Sequence, residues 1–314
     1  MSLPLVSIIV VSHNHGDFVT EAIESALSQT YGNKEVLVVD DGSTDHTPKV
    51  IAGLLEQGMP IKTLMLNENI GYCRAFNQAF SKSKGNYVVD LAADDVLLPE
   101  RLTAGVKALL KSGAGVDFCD AYYINRQSEI TGTHYHRNAQ GVLKTPVKAG
   151  DVFAEVLQRY YICTPSMLIR RDVLTRLGGY DEELYYEDFD FWVRSSRFYQ
   201  YHFTDRILVK KRVLDKSMSK GQYLPGSKML SSTLKVCRKA YSLCQTANDF
   251  KALAVRLRYE IRQSIIVGNY QVASGLNQLL QQVKQKSPEP YLWSLIIFLK
   301  PNLRFLTRYI GKAR

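Results

Sequence analysis

No stretch of about 18 apolar residues occurs in this 314-residue chain, so no membrane-spanning helix is expected. The opening, Met1 to Asn14, has no basic n-region and no small-residue cleavage site, so no secretion signal is expected. Cysteine is sparse and odd in number. Cys73, Cys119, Cys163, Cys237 and Cys244 are scattered, which argues against a disulfide framework or a zinc site and fits a reducing cytoplasm. No Gly-x-Gly-x-x-Gly follows the first apolar run, and no Gly-x-x-x-x-Gly-Lys-Ser/Thr is present. Both absences argue against a dinucleotide or P-loop site. Internal repeats and low-complexity tracts are lacking too. Negative charge is scarce in one place only: residues 214–314 hold 17 Lys and Arg against 4 Asp and Glu, whereas residues 1–213 hold 23 against 26. The net charge of +10 therefore belongs to the C-terminal third, and two regions with different partners are expected, divided at 213/214.

What is present is an alternation. "VSIIVVS", "EVLVVDD", "IKTLMLN", "YVVDLAADD" and "GVDFCDAYYIN" read as strands, the first of them as a buried parallel one. Between them lie "GDFVTEAIESALSQT", "STDHTPKVIAGLLEQG", "GYCRAFNQAFSKSKG" and "LPERLTAGVKALLKSG", with apolar residues at helical spacing; Asp17 is available to cap the first. This implies an α/β fold with a mostly parallel sheet covered on both faces. Residues 127–147 read as loops or short antiparallel strands. Beyond Asp215 the pattern is helical, over roughly 228–246, 249–268 and 270–286.

Ligands of such sheets bind beyond the carboxyl ends of the strands. Here those ends are Ser12-His13-Asn14, Asp40-Asp41 and Asp94-Asp95. Clustered carboxylates raise one another's pKa unless a cation or hydrogen-bond donors sit among them. Mg²⁺ or Mn²⁺ suits Asp94-Asp95, because these ions often take one or two carboxylates plus a diphosphate. Asp41 suits a nucleobase N–H or a ribose hydroxyl. The plainer reading of "DDGSTD" is a turn at Gly42 with Ser43 or Thr44 capping the next helix.

The ordered set "VSIIVVSHNHGDFVTEAIESALSQTY", "EVLVVDDGSTD", "NENIGYCRAFNQAF", "GNYVVDLAADDVLLPERL" and "EDFDFWVR" resembles the inverting family 2 glycosyltransferases, over roughly residues 4–213. The resemblance implies a GT-A (Rossmann-like) catalytic domain over 1–213, followed by a basic helical region over 214–314. It implies a nucleotide-sugar donor, most often a UDP-sugar, and a saccharide or lipid-linked acceptor. Asp41 would bind the base, with Ser12 and His13 lining that pocket. Asp95 would hold Mn²⁺ or Mg²⁺, with Asp94 beside it or nearer the ribose. Asp188 would be the general base, with Glu187 as its neighbour. Arg74 is open to two readings, a phosphate contact or a solvated helix face. The same holds for the acidic run around Asp188, which also suits a helix N-terminus. Trp192 reads as a core anchor or a sugar platform, and Tyr180, Asp181 and "CTPSM" fall where the family shapes its acceptor pocket. His134, His136 and His202 lack ligand spacing.

Two positions depart from the family pattern: Ala92 stands where many members have Asp, and Leu214 where many have His. Lys210, Lys211, Arg212 or Lys216 is the candidate to compensate for the latter. A non-catalytic nucleotide-sugar-binding scaffold is the alternative these departures support. Finally, residues 288–314 mix Trp293 and Tyr291 with Lys300, Arg304, Arg308, Lys312 and Arg314. The segment suits either a packed terminal helix, bent or split at Pro301, or contact with an anionic membrane surface from the cytoplasmic side. Nucleic acid is not an expected partner, since no recognition motif accompanies the charge.

Overall fold

The computed structural model describes residues 3–214 and 221–303. They form two compact units. The first contains the described residues up to Val152, with Ile162–Glu182 and Phe198–Leu214. The second contains Phe153–Tyr161, Glu183–Arg197 and the described residues beyond Leu214. The two internal segments that join the helical unit were not foreseen.

The first unit is built on a nine-stranded sheet in the order β3-β2-β1-β4-β8-β6-β9-β5, with β7 paired to β6. β1 (Val6–Ser12) is buried at all seven positions, so both of its faces are covered, as its unbroken β-branched run requires. It pairs in parallel with β2 (Lys34–Asp40) on one side and β4 (Tyr87–Ala92) on the other. β3 (Lys62–Met65) extends this block in parallel, and β6 (Val116–Ile124) runs parallel to β9 (Tyr201–Arg212). β8 (Leu168–Arg170) joins the two blocks antiparallel, through two residue pairs on each side. β5 (Val96–Leu97) and β7 (Ile130–Thr133) are short antiparallel additions. By length of pairing the sheet is mostly parallel.

Five helices belong to this unit. They are α1 (Val19–Leu27), α2 (Thr47–Glu56), α3 (Tyr72–Lys82), α4 (Arg101–Ser112) and α6 (Arg171–Leu177). Val19, Ala22, Ile23 and Ala26 of α1 form one apolar stripe in a common core with Val6, Ile8 and Val10 of β1. Asp17 does not cap α1. Phe18 holds the N-cap position without a side-chain bond, and Asp17 pairs instead with Arg126.

Deep in this unit lies a full charge pair. The Arg101 guanidinium donates to the Asp117 carboxylate at 2.8 Å, to the Asp117 carbonyl at 3.0 Å and to the Ser166 carbonyl at 2.7 and 3.1 Å. Thr204 Oγ1 donates to the second Asp117 oxygen at 2.6 Å, and His202 Nδ1 lies 2.8 Å from it. α4, β6, β9 and the turn at Ser166 are thereby fastened through charge-assisted bonds.

The second unit is helical. It holds α5 (Phe153–Gln158), α7 (Asp188–Ser196), α8 (Met229–Leu243), α9 (Ala247–Ile266), α10 (Tyr270–Val283) and α11 (Glu289–Leu299). α9 starts with a capping box in which Thr246 and Asp249 satisfy each other's backbone N–H groups. Its buried Arg256 pairs with Glu260 at 3.1 Å and donates to the Leu157 carbonyl of α5 at 2.9 Å. The surrounding core is drawn from all of these helices, with Leu253, Leu257 and Ile261 of α9 facing Leu276 and Leu280 of α10.

Because Arg101 and Asp117 are both fully buried, removing one partner strands the other charge. Asp117→Ala is expected to lower unfolding stability by about 3–5 kcal/mol. Denaturant titration of wild type and variant checks this; a loss below about 1 kcal/mol would fit only a solvent-screened pair.

Candidate active site

The parallel register sets Ser12 opposite Asp40 and Val11 opposite Ala92. Two more bonds extend the ladder past the strands: Asp41 N–H donates to the Ser12 carbonyl at 2.8 Å, and Ala93 N–H to the Val11 carbonyl at 2.9 Å. The polar tips of three strands therefore meet at one rim of the sheet.

The two carboxylates after β2 have different tasks. Asp40 accepts from Ser43 N–H at 3.0 Å and Ser43 Oγ at 2.5 Å, which closes the turn. Ser43 and Thr44 are therefore not helix caps: α2 begins at Thr47, and His46 holds the cap position. Gly42 has φ +62°, and a Cβ there would sit 2.2 Å from the Glu68 carbonyl carbon, so only glycine fits. Asp41 is 2% exposed. It accepts Ile70 N–H at 2.8 Å on one oxygen and Gly71 N–H at 3.0 Å on the other, which fixes the approach to α3. A carboxylate has about four lone-pair sites, so two bonds leave room for a ligand donor.

From β1, Ser12 is fully buried and its Oγ has no hydrogen-bond partner among the described residues. His13 Nδ1 lies 2.8 Å from the Asp41 carbonyl oxygen. Asn14, with φ +56°, accepts from Thr44 N–H at 2.8 Å and Asp45 N–H at 3.2 Å, tying the first strand's loop to the second's. Asn14 was missed as a holding residue, although its place in "SHNHGD" after a strand was the available signal.

After β4, Asp95 is 4% exposed and accepts Arg212 N–H at 2.8 Å on Oδ1. Among the described residues its Oδ2 accepts no bond. Burial, and after it the neighbouring Asp94 charge, push the Asp95 carboxyl well above the ordinary carboxylate range, against the pull of Lys211 and Arg212. A divalent cation beside it would favour its charged form. The set fits a divalent ion shared with diphosphate oxygens rather than a closed cage: among the described residues no group of three His, Cys, Asp or Glu is placed to hold an ion.

Arg212, one of the four cations expected to compensate for Leu214, lies against Asp94 and Asp95. It is 3% exposed. Its side chain donates to the Asp94 carbonyl at 2.9 Å, the Asn125 carbonyl at 2.7 Å, Glu21 at 2.5 Å and Ser128 at 3.0 Å, over the ring of Phe18. It pins the acidic turn from behind. Lys211 is the residue of this run whose charge reaches Asp95 along with Arg212. Lys216 lies outside the described residues. Ala92 and Leu214 are both half-buried and supply no ligand.

Arg74, on α3, makes one exposed ion pair among the described residues, 3.8 Å from Glu182. Tyr180 is a core residue: its ring stacks on Phe76 at 4.3 Å and its hydroxyl donates to Asp90 at 2.8 Å. Ser166 of "CTPSM" serves Arg101. Glu187 and Asp188 belong to the helical unit, where Glu187 precedes α7 and Asp188 is its first residue, accepting Phe189 N–H at 2.6 Å. Asp190 is buried between Arg194 and Lys239, each at 2.6 Å, so it carries structure. Trp192 is 1% exposed and packs 6.0 Å from the Tyr160 ring, an anchor and not a platform.

The sequence model of the family described as Glycosyl transferase family 2 matches residues 7–178, more than half of the chain. This chain belongs to glycosyltransferase family 2. The match contains Ser12, His13, Asp41, Arg74, Asp94 and Asp95, and ends before Glu187 and Asp188. A glycosyltransferase of uncharacterised activity from Rickettsia typhi is 31% identical over 215 residues, which is 68% of this chain and 65% of that relative. The chain thus spans just under two thirds of its relative's length. Among solved structures, TarS of S. aureus in complex with UDP superposes with a TM-score of 0.70 at 18% identity, over 98% of this chain and 92% of that one. A mannosyltransferase from Pyrobaculum calidifontis in complex with GDP-Man and Mn²⁺ gives 0.58 at 16%, over 99% and 89%. The family member's fold is GT-A.

One pH effect follows from the Asp90 site. Burial raises the Asp90 carboxyl from 3.8 to about 6, although the Tyr72 and Tyr180 hydroxyls both donate to it. A raised pKa favours the folded state below 3.8 and withdraws that stability as pH rises through about 6. The loss is about 3 kcal/mol. The thermal midpoint is expected to rise on acidifying across this window, and Asp90→Asn to flatten that rise; an unchanged slope contradicts the assignment.

Proposed function

We propose that this glycosyltransferase moves a sugar from a nucleotide-diphosphate donor, a UDP-sugar, to a hydroxyl of a saccharide or lipid-linked acceptor, inverting the anomeric carbon. The observation that carries the reading is the convergence of Ser12, His13, Asp41, Asp94 and Asp95 at one rim of the sheet. The binding of UDP by TarS supports the choice of base. Asp41 receives the base N–H on lone pairs left free by Ile70 and Gly71, and buried Ser12 Oγ supplies a further polar atom. Asp95 and Asp94 would hold Mn²⁺ or Mg²⁺, which neutralises charge on the leaving diphosphate when bound. Lys211 adds positive charge near Asp95.

In the single displacement, the acceptor oxygen forms its bond to the anomeric carbon as the bond to phosphate breaks. The nucleoside diphosphate leaves with that electron pair, and Asp188 takes the acceptor's proton. Asp188 is preferred to Asp190 because Asp190 is already neutralised by Arg194 and Lys239. The donor's chemistry sets the reaction in the cytoplasm, and a lipid-linked acceptor sets it at the inner membrane face.

A second reading, nucleotide-sugar binding without turnover, rests on Ala92 and Leu214. One experiment separates the two. Nucleotide release is measured from a panel of nucleotide-sugars with Mn²⁺ or Mg²⁺, together with donor-dependent thermal stabilisation. The wild type is expected to turn over, and Asp188→Asn to fall by about 10²–10⁴-fold while keeping the stabilisation. Stabilisation without turnover in either protein supports the binding module. Full activity in Asp188→Asn removes Asp188 from the mechanism.

A further inference from the structure

Among the described residues, α11 presents an apolar face that nothing covers. Tyr291 is 70% exposed, Leu292 62%, Leu295 57%, Phe298 81% and Leu299 65%. These positions recur at three- and four-residue spacing, so they form one stripe along the helix. The reverse side is occupied: Trp293, Ile296 and Ile297 pack on the helical core, and Ser294 Oγ and the Pro290 carbonyl receive Asn277 Nδ2, each at 2.9 Å. The helix is therefore held in place by one side while large side chains stand in solvent on the other. Contiguous exposed apolar surface of this kind marks an interaction site.

Charge indicates what covers it. No Asp or Glu follows Glu289, while Lys300, Arg304, Arg308, Lys312 and Arg314 do. α11 ends where Lys300 adopts φ +45° and Pro301 follows, so the expected bend or split is a stop. Residues 304–314 lie outside the described residues; their composition alone enters here. At 11 residues, α11 is about 16 Å long, roughly half the hydrocarbon thickness, and among the described residues no helix is long and apolar enough to cross a membrane. Pairing this face with a second copy would bring two acid-free basic runs together. An anionic lipid surface neutralises them instead and receives the apolar stripe at the depth of its headgroups.

We propose that the α11 face docks this protein onto an anionic lipid bilayer, lying in the interface with Leu295 and Phe298 inserted and Lys300 at the headgroups. The contact is independent of the donor chemistry proposed above.

The test is co-sedimentation of the full chain with vesicles of phosphatidylcholine and phosphatidylglycerol in equal parts, against phosphatidylcholine alone. Wild type is expected to bind the anionic vesicles and to release as salt is raised. Leu295→Glu/Phe298→Glu is expected to bind about tenfold or more weakly, with unchanged thermal midpoint and unchanged nucleotide release from the donor. Absence of wild-type binding, or equal binding by the variant, overturns the proposal. So does a wild-type dimer that the variant makes monomeric, which assigns the face to a second copy. A lowered midpoint with unchanged vesicle binding gives the face to the chain's own residues 304–314 and overturns it as well.

Discussion

Ser12 stands opposite Asp40, and Val11 opposite Ala92, in a parallel ladder that three strands share. The backbone bonds from Asp41 to Ser12 and from Ala93 to Val11 continue that ladder into the turns. Because side chains alternate along a strand, a slip of one residue would send Asp41 and Asp95 to the wrong face. The slip is prevented by burial: β1 has apolar side chains on both faces, and most positions of β2 and β4 are buried beside it. The hydrophobic core thus fixes the position of charges that could not by themselves hold a fold together.

Two devices keep those charges in place. The Asp41 carboxylate spans the N–H groups of Ile70 and Gly71, so a loop from far along the chain is held by charge-assisted bonds. Arg212 does the reverse, threading a buried guanidinium through the Asp94, Asn125 and Glu21 contacts while its backbone N–H meets Asp95. What remains unbalanced is Asp95 itself, buried beside Asp94. That imbalance is the electrostatic argument for a cation shared with a diphosphate.

The regular part of this fold was legible in the sequence because it obeys single periodicities. β1, β2, β4 and β6 are short, mainly apolar runs, and α8, α9 and α10 lie close to the helices expected over 228–286. The illegible part depends on tertiary partners. β5 and β8 have two and three residues, too few to show an alternation, and β9 hides its strand character behind Arg206, Lys210, Lys211 and Arg212. Asp17, Ser43 and Thr44 carry capping chemistry, yet Asp17 turns to Arg126 and Ser43 to Asp40. Sequence distance also concealed that Phe153–Tyr161 and Glu183–Arg197 pack with the helices, which puts Asp188 in the second unit. In the site, residue types showed where carboxylates would cluster. They did not show which were already bonded, as with Asp40 and Asp190.

The central claim is that the rim formed by β1, β2 and β4 receives a nucleoside diphosphate. Amide NMR of the full chain during titration with UDP tests it most directly. The account predicts saturable shifts at the amides of Ser12, Asp41, Ile70, Gly71 and Asp95. Shifts confined to other surfaces, or none at saturating UDP, would contradict it.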